Sequence, residues 1–477
     1  MNGLIAYGTY VPHNRLRHEE VAAALGKPVQ RGARAVASFD EDVSSMAVEA
    51  ARQVLDGTSQ GIRPRRLYFA TVDPPYRDKT NAALIHAALG LAEDVLAVDM
   101  TGSSRSGVGA LIAAMDASEP TLVVMSDIRF GPAGSSEEVE SGDAAAALLF
   151  SPEEIGRPAV EVIAHSSTTR EFLDRWRLPS GSMSRVWDDR FGEEAYRALA
   201  NDAFTEGLKR ASLGPSDVDH LIVTGLNTRA TRAFAKESGV RAESLSPNLI
   251  DLIGNVGAAA PGLALAATLD RAGPGEIVVL SVLADGATVV VLRVTDAIQE
   301  ARPKRSVGDQ IAAGAVGLPY TKFLAWRGLL EKELPRRPDP VAPSPSAAFR
   351  LADYKFGLLA TKCVAPTGEA GGDCATIHLP PARVCGTCHA QDHMVHVPMS
   401  GLTGTIRTFT IDHLVYSPNP PVVSAVLDLD DGGRFTVDLT DVDPSSVSIG
   451  DRVEMTFRRL WTANGIHNYF WKGRPQR

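Results

Sequence analysis

Residues 362–388 read KCVAPTGEAGGDCATIHLPPARVCGTC and hold all four cysteines of the 477-residue chain, Cys363, Cys374, Cys385 and Cys388. The closing pair is a Cys-x-x-Cys knuckle preceded by two prolines, and ten residues separate the opening pair. Four thiolates drawn to one point suit Zn²⁺, which takes soft ligands in a tetrahedral cage. A disulfide pair or unconnected buried thiols are the rival readings. Disulfide frameworks belong mainly to small secreted domains, and Met1–Tyr10 lacks the basic start and apolar stretch of a signal peptide. Structural zinc ribbons usually leave about two to four residues between ligands, so the wide first spacing leaves His378 or His389 as a substitute for Cys363. Four available thiolates leave no open position for water, so a structural metal is expected rather than a catalytic one.

Beyond this window the segments GLTGTIRTFTIDHL, VVSAVLDLDDGGRFTVDL and SIGDRVEMTFRRLW alternate apolar and polar residues as strands do, with DDGG and SIGD as turns. Short strands after a zinc ribbon point to a small barrel. Before the window, residues 334–348 (LPRRPDPVAPSPSAA) carry five prolines and almost nothing apolar, which reads as a stiff linker or a surface-hugging connection. Residues 1–300 instead alternate β-branched runs (LIAYGTYVP, RLYFATV, VLAVDM, TLVVMSD, HLIVTG, EIVVLSVL, ATVVVLRV) with alanine-rich helical stretches. The helices include DVSSMAVEAARQVLD, TNAALIHAALGL, SRSGVGALIAAMDA, EEAYRALANDAFTEGLKRA and VGAAAPGLALAATLDRA. Such alternation predicts α/β layers with buried sheets. The element order recurs in two halves, which suggests an internal duplication.

The chain is too long for one ordinary core, so two or more domains are expected. No apolar run approaches the ~20 residues of a membrane span. The formal net charge of −9 argues against general nucleic-acid binding. A soluble, cytoplasmic protein is expected.

The pieces IAYGTYVP, the segment around Asp73–Lys79, VDMTGSSRSGVGAL, GDAAAALL, LIGNVGAAAPGLALA and YTKFLAWRG resemble hydroxymethylglutaryl-CoA synthase of the archaeal type, in the thiolase superfamily. The tail resembles the zinc-ribbon/OB-fold proteins that accompany thiolases and these synthases. The resemblance implies a thiolase-like layered, duplicated α/β domain over residues 1–333 and a Pro-rich linker over 334–348. A rubredoxin-like zinc ribbon over 349–392 and an OB-fold barrel over 393–477 follow.

The resemblance also marks where catalysis belongs. That family uses a cysteine nucleophile at the start of a buried helix, a glutamate as acid/base and a histidine beside the thioester carbonyl. A thiolate suits attack on a CoA thioester because the acyl-enzyme formed is of similar energy. Here the cysteine position is Ser104, the glutamate position Val72 with Asp73 next to it, and the histidine position Thr224, followed by Asn227 and Arg229. Asn227 and Arg229 match the family residues that follow the histidine, but among the four catalytic positions only Asn255 keeps its family identity. A serine hydroxyl needs an adjacent base to act as a nucleophile, so Ser104 is expected to be a packing residue at a helix start, with capping of that helix as its use there. The rival is a Ser104 that touches ligand.

The remaining candidates read as ordinary surface. His389, His393 and His396 fall in a connection and His413 on a strand. MTGSSRSGVG lacks the Gly-Lys-Ser/Thr ending of a phosphate-binding loop. Arg63–Arg66 and the pair Arg336–Arg337 read as solvated, with contact to CoA phosphates as the sharper alternative. The leading expectation is a fused accessory subunit of an acyl-CoA complex with structural zinc, acyl-CoA as shared ligand or substrate, a homodimeric synthase-like part and a separate thiolase partner. The alternative is an autonomous acyl-CoA enzyme that condenses, hydrolyses or cleaves by retro-aldol reaction, with Tyr76, Tyr7 or Asp73 moving the proton. No nucleic acid or membrane is expected as a partner.

Overall fold

Buried β-branched runs make up most of the main sheet in the computed structural model, which describes every residue except 29–30, 59, 334–336, 368–371 and 477. Leu334, Pro335 and Arg336, at the start of the proline-rich stretch, therefore lie outside the described residues. The chain divides into two units. One comprises Met1–Ser38, Met46–Ala83 and Ala92–Leu329; the other comprises Phe39–Ser45, Leu84–Leu91 and Leu330–Arg477.

The first unit holds strands β1 (Gly3–Tyr10), β2 (Arg66–Thr71), β3 (Leu96–Thr101), β4 (Thr121–Ile128), β5 (Asp143–Ser151), β6 (Val160–Thr168), β7 (His220–Gly225), β8 (Ile277–Leu283) and β9 (Ala287–Val294). Its helices include α1 (Arg105–Met115), α2 (Asp189–Ala211), α3 (Thr228–Glu237) and α4 (Ala260–Leu269). The strands run side by side as β7-β8-β9-β6-β1-β5-β4-β2-β3.

The duplication is visible in this order. In the first half β2 lies parallel to β3 and β4, and β4, β5 and β1 follow antiparallel. In the second half β7 lies parallel to β8, and β8, β9 and β6 follow antiparallel. The halves meet where Leu4 of β1 pairs with Val160 of β6. Among the described residues the second half shows no counterpart of β3: a single parallel bridge, Leu221–Leu245, stands in its place.

Helices α1 and α4 share one core, through Val108, Leu111 and Met115 of the former and Leu263, Ala266 and Leu269 of the latter. Small residues set their approach. A side chain at Gly107 would place its Cβ 2.2 Å from the Ala258 carbonyl oxygen, and one at Gly262 would come within 2.3 Å of Met125. Strand β5, DAAAALLFS, is wholly buried. Its alanines explain why so poor a strand former sits in the sheet: even a Cβ added at Gly262 would come to 2.9 Å from the Ala146 methyl, and larger side chains on the strand would push α4 away.

In the second unit β10 (Leu359–Cys363) lies between β11 (Ile377–His378) and β12 (Met394–Pro398). This small sheet therefore extends past residue 392. A short hairpin, Pro366–Thr367 against Gly372–Asp373, folds back the long segment between the first two cysteines. Strands β13 (Thr403–Asp412), β14 (Val422–Leu429), β15 (Arg434–Asp438), β16 (Arg452–Ala463) and β17 (Ile466–Pro475) form a sheet in the order β15-β14-β13-β16-β17. A bridge from Leu439 to Gly473 links its two ends. The DDGG turn joins β14 to β15 with Gly432 and Gly433 both at positive φ, as a tight hairpin turn requires. The last residues of the proline-rich stretch are helical rather than extended: Ser344 caps a helix over Pro345–Arg350 by accepting the Ala347 N–H. Proline at the first helical position costs no hydrogen bond there.

The segment Phe39–Ser45 belongs to this second unit through charge. Arg458 is fully buried and bonds Glu41 at 2.5 Å and Asp441 at 3.0 Å. Lys472 pairs with Asp40 at 2.9 Å, and the Tyr469 hydroxyl donates to Asp42 at 2.6 Å.

Candidate functional site

Ser104 stands at the N-terminus of α1, just after β3 has delivered the chain to the edge of the sheet. It occupies the cap position but makes no capping hydrogen bond. That corrects the expectation that it caps the helix; the Ser103 hydroxyl accepts the Arg105 N–H at 3.1 Å instead. Arg105 fastens the helix start to the second half, donating to Thr169 Oγ1 at 2.8 Å and to the Ala284 carbonyl at 3.3 Å.

Ser104 lines a cavity of about 330 Å³ together with Val72, Asp73, Arg175, Arg177, Asp174 and Tyr196. Asp73 pairs with Arg177 at 3.1 Å, and Arg177 also donates to the Val72 carbonyl at 3.2 Å. Arg175 and Arg129 converge on Glu137, and the two guanidiniums hold that carboxyl below its usual range against the opposing effect of burial. Behind Val72 lies the buried Asp127, which accepts the Val72 N–H at 2.7 Å and the Ala258 N–H at 2.6 Å. Burial raises the Asp127 carboxyl pKa.

Sequence reasoning did not single out Tyr196 or Asp174. Asp174 is buried, and burial raises its pKa; the Tyr196 hydroxyl hydrogen-bonds to it and accepts the Asp285 N–H at 3.3 Å. Burial, then the Asp174 charge, raise the Tyr196 pKa as well. The two lie 22 residues apart on the segment before α2 and on α2 itself, so no local motif marks them.

The other positions fall elsewhere. Thr224 and Asn255 line a second cavity, beside β7, and not the one that holds Ser104. The Asn255 amide is taken up by the backbone: Nδ2 donates to Gly225 at 2.8 Å and Oδ1 accepts from Gly257 at 3.1 Å. Asn227 caps α3 by accepting the Ala230 N–H, and Arg229 pairs with Glu193. Tyr7 is buried and donates to Asp270, while the Tyr76 N–H donates to Asn81; neither lines the Ser104 cavity. Arg65 and Arg66 form exposed pairs with Asp94 and Glu119, and Arg337 donates to the Leu414 carbonyl.

The four cysteines come together as one cluster, with all ligand atoms within 4.8 Å of one another. The Cys363–Cys388 and Cys374–Cys385 sulfurs are 3.6 and 3.7 Å apart. Four sulfurs at ~2.3 Å from a tetrahedral zinc stand ~3.8 Å apart, whereas a disulfide needs ~2.05 Å. The donor set fits zinc and not a disulfide framework. The Cys388 N–H, opposed by burial and joined by the Thr387 N–H, holds the Cys385 thiol down to about 5, while at Cys363 the Ala365 N–H is outweighed by burial and the neighbouring thiols, which push that thiol up to about 12. Neither His378 nor His389 belongs to the cluster. His389, His393 and His396 are exposed, and His396 lies on β12 rather than in a connection. His413 is exposed just beyond β13, not on a strand as expected.

The curated relatives match the synthase-like part nearly end to end. Hydroxymethylglutaryl-CoA synthase of Pyrobaculum neutrophilum is 30% identical over 351 residues, which cover 69% of this chain and 98% of the relative. The chain belongs to the hydroxymethylglutaryl-CoA synthase family. The synthase of Pyrobaculum aerophilum is 28% identical over 349 residues, again 69% of this chain and 98% of the relative. Among solved structures, MvaS in complex with 3-hydroxy-3-methylglutaryl coenzyme A superimposes with a TM-score of 0.58 at 18% identity, covering 72% of this chain and 94% of that one. 3-Oxoacyl-[acyl-carrier-protein] synthase III from Aquifex aeolicus gives 0.53 at 21%, over 61% and 100%. These two share the fold. The family model for the 3-oxoacyl-[acyl-carrier-protein] synthase III C terminus matches residues 208–294, and that for the ChsH2 C-terminal OB-fold domain matches 396–458. The chain thus joins a thiolase-like synthase domain to a C-terminal OB-fold domain. Among the described residues no helix is long and apolar enough to cross a membrane.

Proposed function

We propose that this hydroxymethylglutaryl-CoA synthase relative binds acyl-CoA but has lost the acyl-enzyme route, and serves as a fused accessory subunit beside a separate thiolase-type chain. Residues 1–333 would form the synthase-like part, 334–348 the linker, 349–392 a zinc ribbon and 393–477 the OB barrel. One observation carries the reading. The cavity at the start of α1 offers a hydroxyl at Ser104 and an isopropyl group at Val72, while Thr224 faces a different cavity. Nucleophile, acid/base and carbonyl partner are thus all missing from one place, and a serine without an adjacent base is a poor nucleophile. Solved relatives in complex with hydroxymethylglutaryl-CoA and with CoA support acyl-CoA as the ligand. Trp187 and Leu178 stand 72% and 66% exposed on the segment that walls the cavity, which favours a partner chain over this face.

Residues Cys363, Cys374, Cys385 and Cys388 would hold one structural zinc. The metal would supply cross-linking alone, because four thiolates complete its tetrahedral shell. The purified protein should contain about one zinc per chain, measured by elemental analysis.

Alone with acetyl-CoA and acetoacetyl-CoA, the protein should form no hydroxymethylglutaryl-CoA above background. Purified from its native host, it should carry a thiolase with an intact cysteine. In the reconstituted complex Ser104→Ala should change turnover by less than about twofold, within the ~0.5 kcal/mol of a neutral site. Loss of turnover in that variant would contradict the accessory role.

The Tyr196–Asp174 pair favours a second reading, an autonomous enzyme that cleaves a β-hydroxyacyl-CoA by retro-aldol reaction. No acyl-enzyme is needed there, and the hydroxyl–carboxylate pair lining the Ser104 cavity is placed to take the substrate's hydroxyl proton. Cleavage of 3-hydroxyacyl-CoA by the isolated protein, abolished by Tyr196→Phe, would establish it.

A further inference from the structure

The second cavity lies where the two halves of the fold differ. In the first half β3 pairs with β2 over six residues, from Arg66–Leu96 to Thr71–Thr101. In the second half the equivalent segment makes the Leu221–Leu245 bridge and the Ser246 N–H to Leu221 carbonyl bond. Pro247 follows, which has no N–H to continue the ladder, and the chain turns into the short helix Ile250–Ile253. Leu221 to Gly225 all line the cavity. Alternate residues of a strand face opposite sides of a sheet, so the cavity runs along the open edge of β7 and not over one face.

Its interior and its mouth differ in chemistry. Leu249, Ile250 and Leu263 line it with Ala235 of α3, around a volume of about 170 Å³. Arg232 lines it as well, three residues before Ala235 and so on the same face of α3. Arg232 and Asn248 are exposed, so the cavity opens to solvent beside them. The Arg232 charge reaches Glu140, but that carboxyl is bonded to Thr228, and among the described residues no carboxylate closes an ion pair with Arg232. An apolar lining joined to a few placed polar groups is how small-molecule sites are built.

We infer that the β7-edge cavity binds a free medium-chain carboxylate, with its tail along β7 and its head at Arg232. A guanidinium takes a carboxylate through two parallel N–H bonds, and the Asn248 amide offers further donors at the same mouth. The length follows from the volume: an apolar cavity of about 150 Å³ takes a benzene-sized guest, so about six carbons fill the interior and one or two more reach the mouth. The backbone at Gly225–Leu226 separates this cavity from the one that holds Ser104. The ligand is therefore a whole molecule that ends here, and a thioester would have no charge to offer Arg232. The inference is independent of the acyl-CoA reading.

The test is calorimetric titration of the full-length protein with octanoate, butyrate, octanol and octylamine. Octanoate should bind at one saturable site, at least about tenfold tighter than butyrate, since each buried methylene adds severalfold. Octanol and octylamine keep the tail but lose or reverse the charge, and should bind about tenfold weaker than octanoate. Arg232→Gln should bring octanoate to the level of octanol and leave octanol unchanged. Ala235→Phe, which fills the cavity from α3, should abolish saturable octanoate binding. Absence of saturable octanoate binding to the wild-type protein overturns the inference and needs no variant to fold. Equal affinity for octanoate and octylamine overturns it too, as does an unchanged octanoate affinity in folded Arg232→Gln or Ala235→Phe protein.

Discussion

Removing the metal should unfold the small sheet that holds the cysteines. A strong chelator, or Cys385→Ser with Cys388→Ser, should abolish its ordered structure and expose residues 359–398 to limited proteolysis, while the five-stranded sheet, with its own buried core of Val423, Leu427, Phe457 and Trp471, and the synthase-like unit stay folded. The magnitude follows from where the sulfurs sit. Cys363 and Cys385 are buried and, among the described residues, the cluster packs against Ala365, Ala390 and Met394 alone, too little apolar contact to order the small sheet unaided. Structural zinc contributes an apparent ~10–16 kcal/mol in small metal-folded domains, far above the few kcal/mol such a core supplies. Full zinc loading in the double variant, or unchanged protection of residues 359–398 after chelation, would contradict the metal-centred account.

The second large effect concerns Arg458. Replacing it with alanine should cost about 3–5 kcal/mol, because Glu41 and Asp441 would be left facing each other without their cation. All three side chains are essentially inaccessible, at 0%, 0% and 1% exposure. Arg458→Met combined with Glu41→Gln and Asp441→Asn in one chain should cost much less than Arg458→Ala, since desolvation then falls on no ion. Chemical denaturation of the wild-type protein and these two variants gives the comparison. A cost below 1 kcal/mol for Arg458→Ala would show that water reaches the pocket. The same network bears on truncation: deleting 349–477 would strip Asp40, Glu41 and Asp42 of Lys472, Arg458 and Tyr469. Surface substitutions are therefore the cleaner way to test partner binding.

Much of the fold was legible in the sequence because burial on both faces leaves continuous β-branched runs, as in IVVLSVL of β8 and ATVVVLRV of β9. Strand β5 was not read as a strand, because DAAAAL has the composition of a helix and its alanines answer to α4 across the sheet, a tertiary demand that local propensity does not carry. The cysteine cluster was legible as a set. The folding back of the wide first spacing was not, since it depends on the hairpin at Pro366–Thr367 and Gly372–Asp373.

The candidate site divides in the same way. Ser104, Val72, Asp73, Thr224 and Asn255 were reached through family motifs, which fix positions along the chain but not which residues share a cavity. Their separation into two cavities depends on how β7 and the 245–254 segment pack. Tyr196, Asp174 and Arg177 had no motif at all; they enter the Ser104 cavity from α2 and the segment preceding it. A pass that asked which aromatic hydroxyls of α2 face inward would have found Tyr196, since its helix buries Tyr196, Leu199, Ala200 and Ala203 on one side.

The central claim is that residue 104 takes no acyl group. Its most direct test is mass spectrometry of the peptide containing Ser104 after acid quenching of the full-length protein with acetyl-CoA and with octanoyl-CoA. The peptide is predicted to keep its unmodified mass at every time point. An acyl adduct on that peptide, absent from Ser104→Ala, would contradict the account and return the chain to acyl-enzyme catalysis.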